Sequence, residues 1–299
     1  MRLATPARRA AVRTIVLDRS LEALPIFRLS DSADDGAVTF VPGEIGEGPE
    51  QPHLRWRAIS APGDRLPGTF DQDVYVELMH RYSEAGWPED GAVSFTLHAF
   101  LRSIGRRVDG RTYEQLRCAL TRLERTTLES IGTYALVRSP NGAHERFDGT
   151  FTLLASVTIE RRRMTEREQL PLFGAFAAGE PGDARIVISP LIRANIAAGH
   201  SVTLSAPQYQ SLSNPVARRL YRLLAVARAE DRVTWRVPLD RLASQIPLAQ
   251  RYPSHLQRVL QPAHEMLVAA GILRDATFVQ TNKEWSVDYV LATRNLGSA

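Results

Sequence analysis

The chain has 299 residues, 44% of them hydrophobic, and a formal net charge of +4, which together allow two globular domains. Its single cysteine, Cys118, excludes a disulfide framework and a cysteine-ligated zinc site, and no apolar run approaches the roughly 18 residues of a membrane span. The seven histidines lack metal-ligand spacing, and no glycine-rich phosphate loop leads into a lysine. We therefore expect no metal, no cofactor, no membrane insertion and no enzymatic activity. The position of Cys118 between Leu116 and Leu120 predicts a buried thiol.

Residues 1–19 form an arginine-rich N-terminal segment that lacks the long apolar core of a secretory signal. This composition is typical of a basic arm that contacts DNA, and equally of a disordered tail. We expect a bacterial cytoplasmic protein. Residues 31–69 are rich in Gly, Pro and Asp and are predicted to be irregular, with strands near 38–41 and 54–59.

A first set of elements is predicted between residues 70 and 163. The apolar spacing indicates a helix over 70–86, a short strand around Phe95, and a helix capped by Thr96 and ended by Gly105. An arginine-rich turn then leads into a long helix over 111–130. Residues 132–139 and 150–163 are predicted to pair as a hairpin, with a polar insertion at 164–184.

A second set of elements repeats this order in the last third of the chain. A helix is predicted over 215–230, a strand over 233–237, a short helix over 239–245, and two final strands joined around Asn282. Before those strands, residues 252–271 form a helix that opens with Pro253 at the favoured first position. Pro262 inside that helix predicts a kink or a break.

The helix over 252–271 has one apolar face and one hydrogen-bonding face. Leu256, Leu260, Ala263 and Leu267 fall on the apolar face, and the other face carries donors and acceptors that can reach base edges or phosphates. For one helix taken alone, an ordinary amphipathic surface helix is the more common explanation of this pattern. The neighbouring elements favour a DNA-reading helix, because helix, strand, helix, helix and hairpin is the order of a winged helix.

The repeated order predicts an α+β protein with two tandem winged-helix domains. We place the first at 20–204, with irregular insertions at 31–69 and 164–184, and the second at 205–299, both after the basic tail. The two halves share little residue identity, so convergence of two common patterns is the alternative explanation.

Arginine is concentrated in both regions predicted to read DNA. Residues 101–130 contain seven Arg and four acidic residues, 7 − 4 = +3, and residues 205–275 contain ten Arg and five acidic residues, 10 − 5 = +5. Lys283 is the only lysine. A GC-rich genome would account for the use of arginine over lysine, but the clustering indicates phosphate and base recognition.

Candidate contacts to double-stranded DNA were assigned to the two predicted reading helices, the turns before them and the hairpins. In the second domain they are Arg251, Tyr252, Ser254, His255, Gln257, Arg258 and Gln261. In the first domain they are Arg106, Arg107, Arg111, Thr112, Gln115 and Arg122. Arg138 and Lys283 are the candidates for phosphate contacts from the two hairpins.

Several segments, in this order along the chain, resemble the replication initiator protein A family. They are SLEALPIFRLS, LPGTFDQDVYVELMHRYSEAG, TYEQLRCALTRLERTTLES, PVARRLYRLL and RVLQPAHEML. The resemblance covers about residues 20–292 and implies two winged-helix domains that bind origin repeats and start plasmid replication. It also implies that the protein is a homodimer away from the origin, binds the origin as a monomer, and recruits host replication proteins.

Two other function classes are compatible with the residues themselves. A transcriptional regulator could use the same domains without any role at an origin. A winged helix can also serve as a protein-interaction module, and an apolar exposed helix face would then replace the Arg and Gln side chains. The scarcity of lysine and the segments at 31–69 and 164–184 depart from the family pattern.

Overall fold

The computed structural model describes residues 13–29, 37–42, 54–138, 142–160, 183–248, 252–282 and 284–292. The first half contains β1 (Thr14–Asp18), α1 (Arg19–Glu22), β2 (Ala37–Phe40), β3 (Arg55–Ile59), α2 (Thr69–Glu84), β4 (Ala92–Thr96), α3 (Leu97–Ser103), α4 (Gly110–Arg125), β5 (Thr127–Leu136), β6 (Glu145–Phe151), β7 (Leu154–Ile159) and β8 (Asp183–Ile188). The second half contains α5 (Pro190–Ala197), β9 (Ser201–Ser205), α6 (Ala206–Ser211), α7 (Pro215–Ala229), β10 (Thr234–Pro238), α8 (Leu239–Gln245), α9 (Pro253–Ala269), β11 (Leu273–Thr281) and β12 (Glu284–Leu291).

Two sets of six elements repeat one order and one pattern of strand pairing. The first unit consists of α2, β4, α3, α4, β7 and β8, and the second unit consists of α7, β10, α8, α9, β11 and β12. The corresponding sheets, within the described residues, have the orders β4-β8-β7 and β10-β12-β11, and every pair is antiparallel. The order predicted from the sequence is therefore present in the second unit, and in the first unit β5 and β6 lie between α4 and the two paired strands.

The start and end signals read from the sequence act as expected at several helices. The Thr96 hydroxyl accepts the Ala99 backbone N–H (3.1 Å) at the start of α3. Gly105 and Gly271 follow the ends of α3 and α9 with φ of 69° and 67°, a conformation that glycine adopts without steric cost. In the parts of the chain that the structure describes, no helix combines the length and the apolar character needed to cross a bilayer.

The hairpin predicted from residues 132–139 and 150–163 is wrong. β5 pairs with β6 over residues 145–151, and β7 pairs with β8, which begins at residue 183. The chain changes sheets at Leu153 and Leu154, two consecutive residues that are both fully buried and so interrupt the alternation of a single strand. Of the predicted insertion at 164–184, residues 164–182 lie outside the described residues and the last two begin β8.

An additional antiparallel sheet, of order β2-β3-β5-β6, lies beside the first unit. Two of its strands are those predicted near 38–41 and 54–59. Trp56 of β3 is fully buried, and its indole N–H donates to the carbonyl oxygen of Pro25 (2.7 Å). Through this contact the sheet holds the N-terminal segment against the rest of the molecule.

The N-terminal segment joins the two units. Residues 14–18 of the predicted tail form β1, which pairs antiparallel with β9 between the units. After α1, the guanidinium of Arg219 on α7 donates to the carbonyl oxygens of Glu22 (2.9 Å), Leu24 (2.8 Å) and Gln245 (3.1 Å). One hydrophobic cluster includes side chains of both units and of this segment. The domain boundaries drawn from the sequence stay predictions.

Candidate nucleic-acid interface

Helix α9 separates its apolar and polar side chains as its sequence predicts. Leu256, Leu260, Ala263 and Leu267 are buried. The side chains of Ser254, His255, Arg258 and Gln261 are exposed, and Gln257 is half-buried. The helix is continuous through Pro262, so the break considered from the sequence does not occur. A row of hydrogen-bonding side chains therefore covers the solvent side of one uninterrupted helix.

The N-terminus of α9 has no side-chain cap. Tyr252 occupies the cap position, where its ring is 72% exposed and lies edge-on to His255 (5.9 Å between ring centroids). Pro253 at the first helical position has no N–H, and the His255 and Leu256 N–H groups both donate to the carbonyl oxygen of Tyr252 (3.0 Å each). Among the described residues, the Ser254 N–H is the group left at this helix end. A helix end of this kind attracts anions, because the helix dipole places partial positive charge there.

Arg258 is the cation on this surface. Its side chain is exposed, and no ion pair involves it within the described part of the chain. Gln261 donates to the carboxylate of Glu265 one turn later (2.9 Å), so its amide is partly engaged. Two further candidates, Arg251 and Lys283, lie outside the described residues.

The N-terminus of α4 in the first unit is capped by a carboxylate. Asp109 accepts the Thr112 N–H (2.9 Å), and the Thr112 hydroxyl donates to the carbonyl oxygen of Arg107 (2.7 Å). The backbone hydrogen bond from Thr112 is the largest effect that holds the pKa of Asp109 below its usual value. Thr112 thus completes a capping box, while Arg111 and Gln115 remain exposed beside it.

Two of the arginines predicted to contact DNA from the first unit bind carboxylates of the protein. Arg106 Nη2 lies 3.2 Å from Asp73 Oδ2, and Arg107 Nε lies 3.5 Å from Asp109 Oδ2. Arg106 is about half-exposed and also lies over the Phe70 ring (5.3 Å), whereas Arg107 is 88% exposed. Arg107 can therefore reach a ligand with little rearrangement, and Arg106 has to leave Asp73 first.

Two predicted contacts are corrected by their positions. Arg122 is only 8% exposed, and its Nε and Nη2 donate to Asp71 Oδ1 (3.0 and 2.8 Å), so it fixes α4 to α2 inside the unit. Arg138 follows β5 and pairs with Glu145 at the start of β6 (3.2 Å). It belongs to the additional sheet and not to the β7–β8 hairpin, because the predicted pairing of the strands was wrong.

The predicted burial of Cys118 is also wrong. Leu116, Ala119, Leu120 and Leu123 turn inward from α4, and Cys118 lies exposed on the outer side of the helix. Partial desolvation and the carboxylate of Glu114 raise the pKa of its thiol. The cysteine thus reports on the same face of α4 that carries Arg111 and Gln115.

The acidic residues that hold these arginines were not identified from the sequence. Asp71 binds Arg122, Asp73 binds Arg106 and Asp109 binds Arg107. A signal was present in the Asp-x-Asp pattern at residues 71–73, because both carboxylates follow a predicted helix start and need cationic or N–H partners if buried.

Comparison with known proteins gives one family and a set of similar folds. The family described as replication initiator protein A matches residues 18–266. A crystal structure of domains 2 and 3 of RctB has a TM-score of 0.54 at 12% identity and covers 93% of this chain and 100% of that chain. A second structure of RctB domains 2–3 has a TM-score of 0.51 at 10% identity, covering 91% and 96%. At these identities the likeness shows a shared fold.

The Pi initiator protein, crystallised in complex with iteron DNA, has a TM-score of 0.43 at 11% identity and covers 75% of this chain and 94% of that chain. No curated protein matches the sequence.

Proposed function

Because the chain belongs to the replication initiator protein A family and is a replication initiator, we propose that it recognises repeated sequences at a plasmid-type origin through two winged-helix units. The repeated order of elements supports this assignment. In each unit a short helix and a longer helix, α3–α4 and α8–α9, are followed by two paired strands. This is a helix-turn-helix with a hairpin wing, in which the second helix enters the major groove.

The observation that carries the proposal is the outer face of α9. Its N-terminus, which has no side-chain cap, presents the Ser254 N–H and the positive end of the helix dipole to a phosphate, which would position the helix on the duplex. Arg258, one turn further on, has a planar guanidinium that can bind O6 and N7 of guanine together. Ser254 and His255 lie on the same exposed turn and add donors at the groove edge.

The first unit contributes a second, weaker contact. Arg111 and Gln115 face outward from α4, and Arg107 is exposed in the turn before it. The capping carboxylate of Asp109 occupies the helix end, so a phosphate there would meet a negative charge. We therefore assign base and phosphate contacts in this unit to side chains and not to the helix terminus.

The resemblance to the family also supports a homodimer away from DNA, a monomer on the origin, recruitment of host replication proteins and a cytoplasmic location. Light scattering on the protein with and without origin DNA measures the mass of each species. A dimer that persists on a single repeat would contradict the monomeric origin complex.

The experiment that tests the function is a binding titration with the repeat-bearing DNA beside the gene. Scrambled DNA of the same composition is the control, and both are measured across a salt series. Selective binding that weakens linearly in log salt supports the proposal, since phosphate contacts release counterions. Equal affinity for both DNAs would show only nonspecific binding through a basic surface. No binding would favour a protein-interaction module.

The exposed Cys118 allows a direct test of whether α4 faces the DNA. As the only cysteine of the chain, it reacts alone with a maleimide. We expect bound repeat DNA to slow this reaction and scrambled DNA to leave it unchanged. An unaltered rate at saturating repeat DNA would remove α4 from the interface.

A further inference from the structure

Three consecutive residues at the start of α2, Asp71, Gln72 and Asp73, each bind a different part of the molecule. All three side chains are buried, although all three are polar and two are acidic. Buried polar groups are stable only when they find partners, so their contacts determine what the segment does. The stretch is part of the TFDQD pattern, to which the DNA-contact assignments give no role.

Asp71 ties α4 to α2 within the first unit. Its Oδ2 accepts the Gly68 N–H (2.7 Å) at the cap of α2, and its Oδ1 accepts two N–H groups of Arg122 on α4 (3.0 and 2.8 Å). The cap and the ion pair hold the proposed reading helix of this unit at a fixed place relative to α2.

Gln72 reaches the second unit. Its amide donates to the carbonyl oxygen of Pro215 (3.3 Å), and its Oε1 accepts from Nη1 of Arg222 (3.2 Å), both on α7. The Arg222 guanidinium is fully buried, pairs with Glu22, and lies over an aromatic ring of the N-terminal segment and one of α2. A residue of α2 and the first helix of the other unit therefore share one enclosed polar network.

Asp73 joins both units through a single carboxylate. Oδ2 accepts from Arg106, in the turn before α4 (3.2 Å), and forms an ion pair with Nη1 of Arg218 on α7, while Oδ1 lies 3.4 Å from the Tyr209 hydroxyl on α6. Arg218 is also held by the carbonyl oxygen of Leu212 (2.6 Å) and by the face of Tyr209 (5.3 Å). Since arginine–carboxylate pairs are directional, this contact fixes geometry as well as charge.

Helix α7, which Gln72 and Asp73 contact, packs against α9. We propose that Asp71, Gln72 and Asp73 are positioning residues that set the separation and mutual orientation of α4 and α9, and thereby the spacing between the two DNA contacts. The DNA part of this inference rests on the proposed function. A tandem reader discriminates between sites by spacing only if its two reading helices are held rigidly relative to each other.

The first test measures the coupling without DNA. Spin labels on Cys118 of α4 and on a Glu265→Cys variant of α9, both exposed positions, report the distance between the two helices by electron–electron resonance. We expect one narrow distance distribution in the otherwise wild-type chain. Asp73→Asn and Arg218→Gln should each broaden it, and combining them should add little, because both remove the same contact.

The control is Asp231→Asn, which makes the same chemical and net-charge change at an exposed residue with φ of 57°, a conformation that asparagine tolerates. It should leave the distribution unchanged. If Asp73→Asn fails to fold, Arg218→Gln decides the question. A narrow, wild-type distribution in the folded variants would overturn the proposal.

The second test compares DNA sites of altered spacing. Inserting 5 bp between the two protected halves of the selected site rotates one half by about half a turn, and wild-type affinity should fall by at least about tenfold. Asp73→Asn should bind both sites within about threefold of each other and retain its affinity for a single half. A uniform change on every DNA would mean that Asp73 only adjusts charge, and would overturn the proposal. If wild type shows no selective binding, the proposed function fails while the label distances still decide the coupling.

Discussion

The first and second units share an order of elements and a pattern of strand pairing, but the N-termini of their proposed reading helices differ. In the first unit Arg106, Arg107 and Arg122 bind carboxylates of the protein, and Asp109 caps the proposed reading helix. In the second, α9 has no side-chain cap, and Arg258 has no ion-pair partner among the described residues. One topology therefore holds a reading helix whose N-terminus carries a capping carboxylate and a reading helix whose N-terminus has no side-chain cap.

The buried contacts that hold α4 and α9 in their units also differ. In the first, α4 is fixed by the buried Asp71–Arg122 ion pair. In the second, α9 is fixed by a hydrogen bond between buried His264 and the Tyr289 hydroxyl on β12 (2.9 Å). An ion pair needs both charges present, whereas burial favours the neutral form of His264 by lowering its pKa. The two units should therefore respond differently to mutation and to acid.

The largest effect that separates the units is expected from Asp71→Ala. It leaves the Arg122 guanidinium buried without its partner, which costs about 3–5 kcal/mol of the free energy of unfolding. Urea denaturation measures the loss. The double variant Asp71→Leu with Arg122→Met should recover most of it, because a neutral apolar pair replaces the charges. A loss in Asp71→Ala no larger than that of an exposed substitution would show that the pair is not essential.

Acid should act on the second unit through His264. Burial lowers the pKa of His264 to about 4, from an unfolded value near 6.5, so the folded state excludes a proton that the unfolded state binds. The stability that neutral His264 contributes is fully present above pH 6.5. It is lost as the pH falls towards 4, and the loss is on the order of 3 kcal/mol of the free energy of unfolding. His264→Gln should remove this part of the pH dependence, seen as the difference between the two proteins' unfolding curves. Parallel curves from pH 7 to 4 would contradict it.

Arg258→Ala tests whether the exposed cation of α9 reads a base. We expect a loss of about 1–3 kcal/mol on the selected site and a relaxed preference at one position, measured by titration against single-base variants of that site. Arg232→Ala, at an exposed residue of the α7–β10 turn, is the charge-matched control. Equal loss on all sequences would assign Arg258 to a phosphate.

Arg107→Ala should have the smallest effect, and it should be uniform. The side chain is exposed and only loosely paired with Asp109, so it can bind a phosphate but no defined base. All DNAs should weaken by the same factor, and the slope of log affinity against log salt should fall by about 1. A loss confined to one sequence would make the first unit a base reader comparable to the second.

The periodic parts of the fold could be predicted from the sequence. The spacing of Leu256, Leu260, Ala263 and Leu267 correctly gave the buried face of α9, and Pro253 gave its start. Cys118 could have been placed by the same rule. It lies two residues from Leu116 and two from Leu120, which turns its side chain about 200° around the helix axis, onto the opposite face.

Contacts between distant segments could not be predicted in this way. Asp71 lies 51 residues before Arg122, and no local pattern connects them. The partner of β7 begins at residue 183, beyond the segment that the sequence pattern offered as a hairpin. The predicted DNA contacts at Arg106 and Arg122 were drawn from local charge alone, and the carboxylates that hold these residues come from α2.

The pairing of β1 with β9 has a consequence for the order in which the protein is made. Thr14 lies opposite Ser205, and Glu22 meets Arg222 still further along the chain. At a translation rate of about 5–20 residues per second, the partners of the N-terminal segment leave the ribosome roughly 10 to 40 s after it does. During that interval Leu17 and Leu21, fully buried in the finished protein, lack the part of their surroundings that comes from β9 and α7. An incomplete nascent chain thus cannot assemble the junction that joins its two units, and only a nearly full-length product reaches the DNA-binding form.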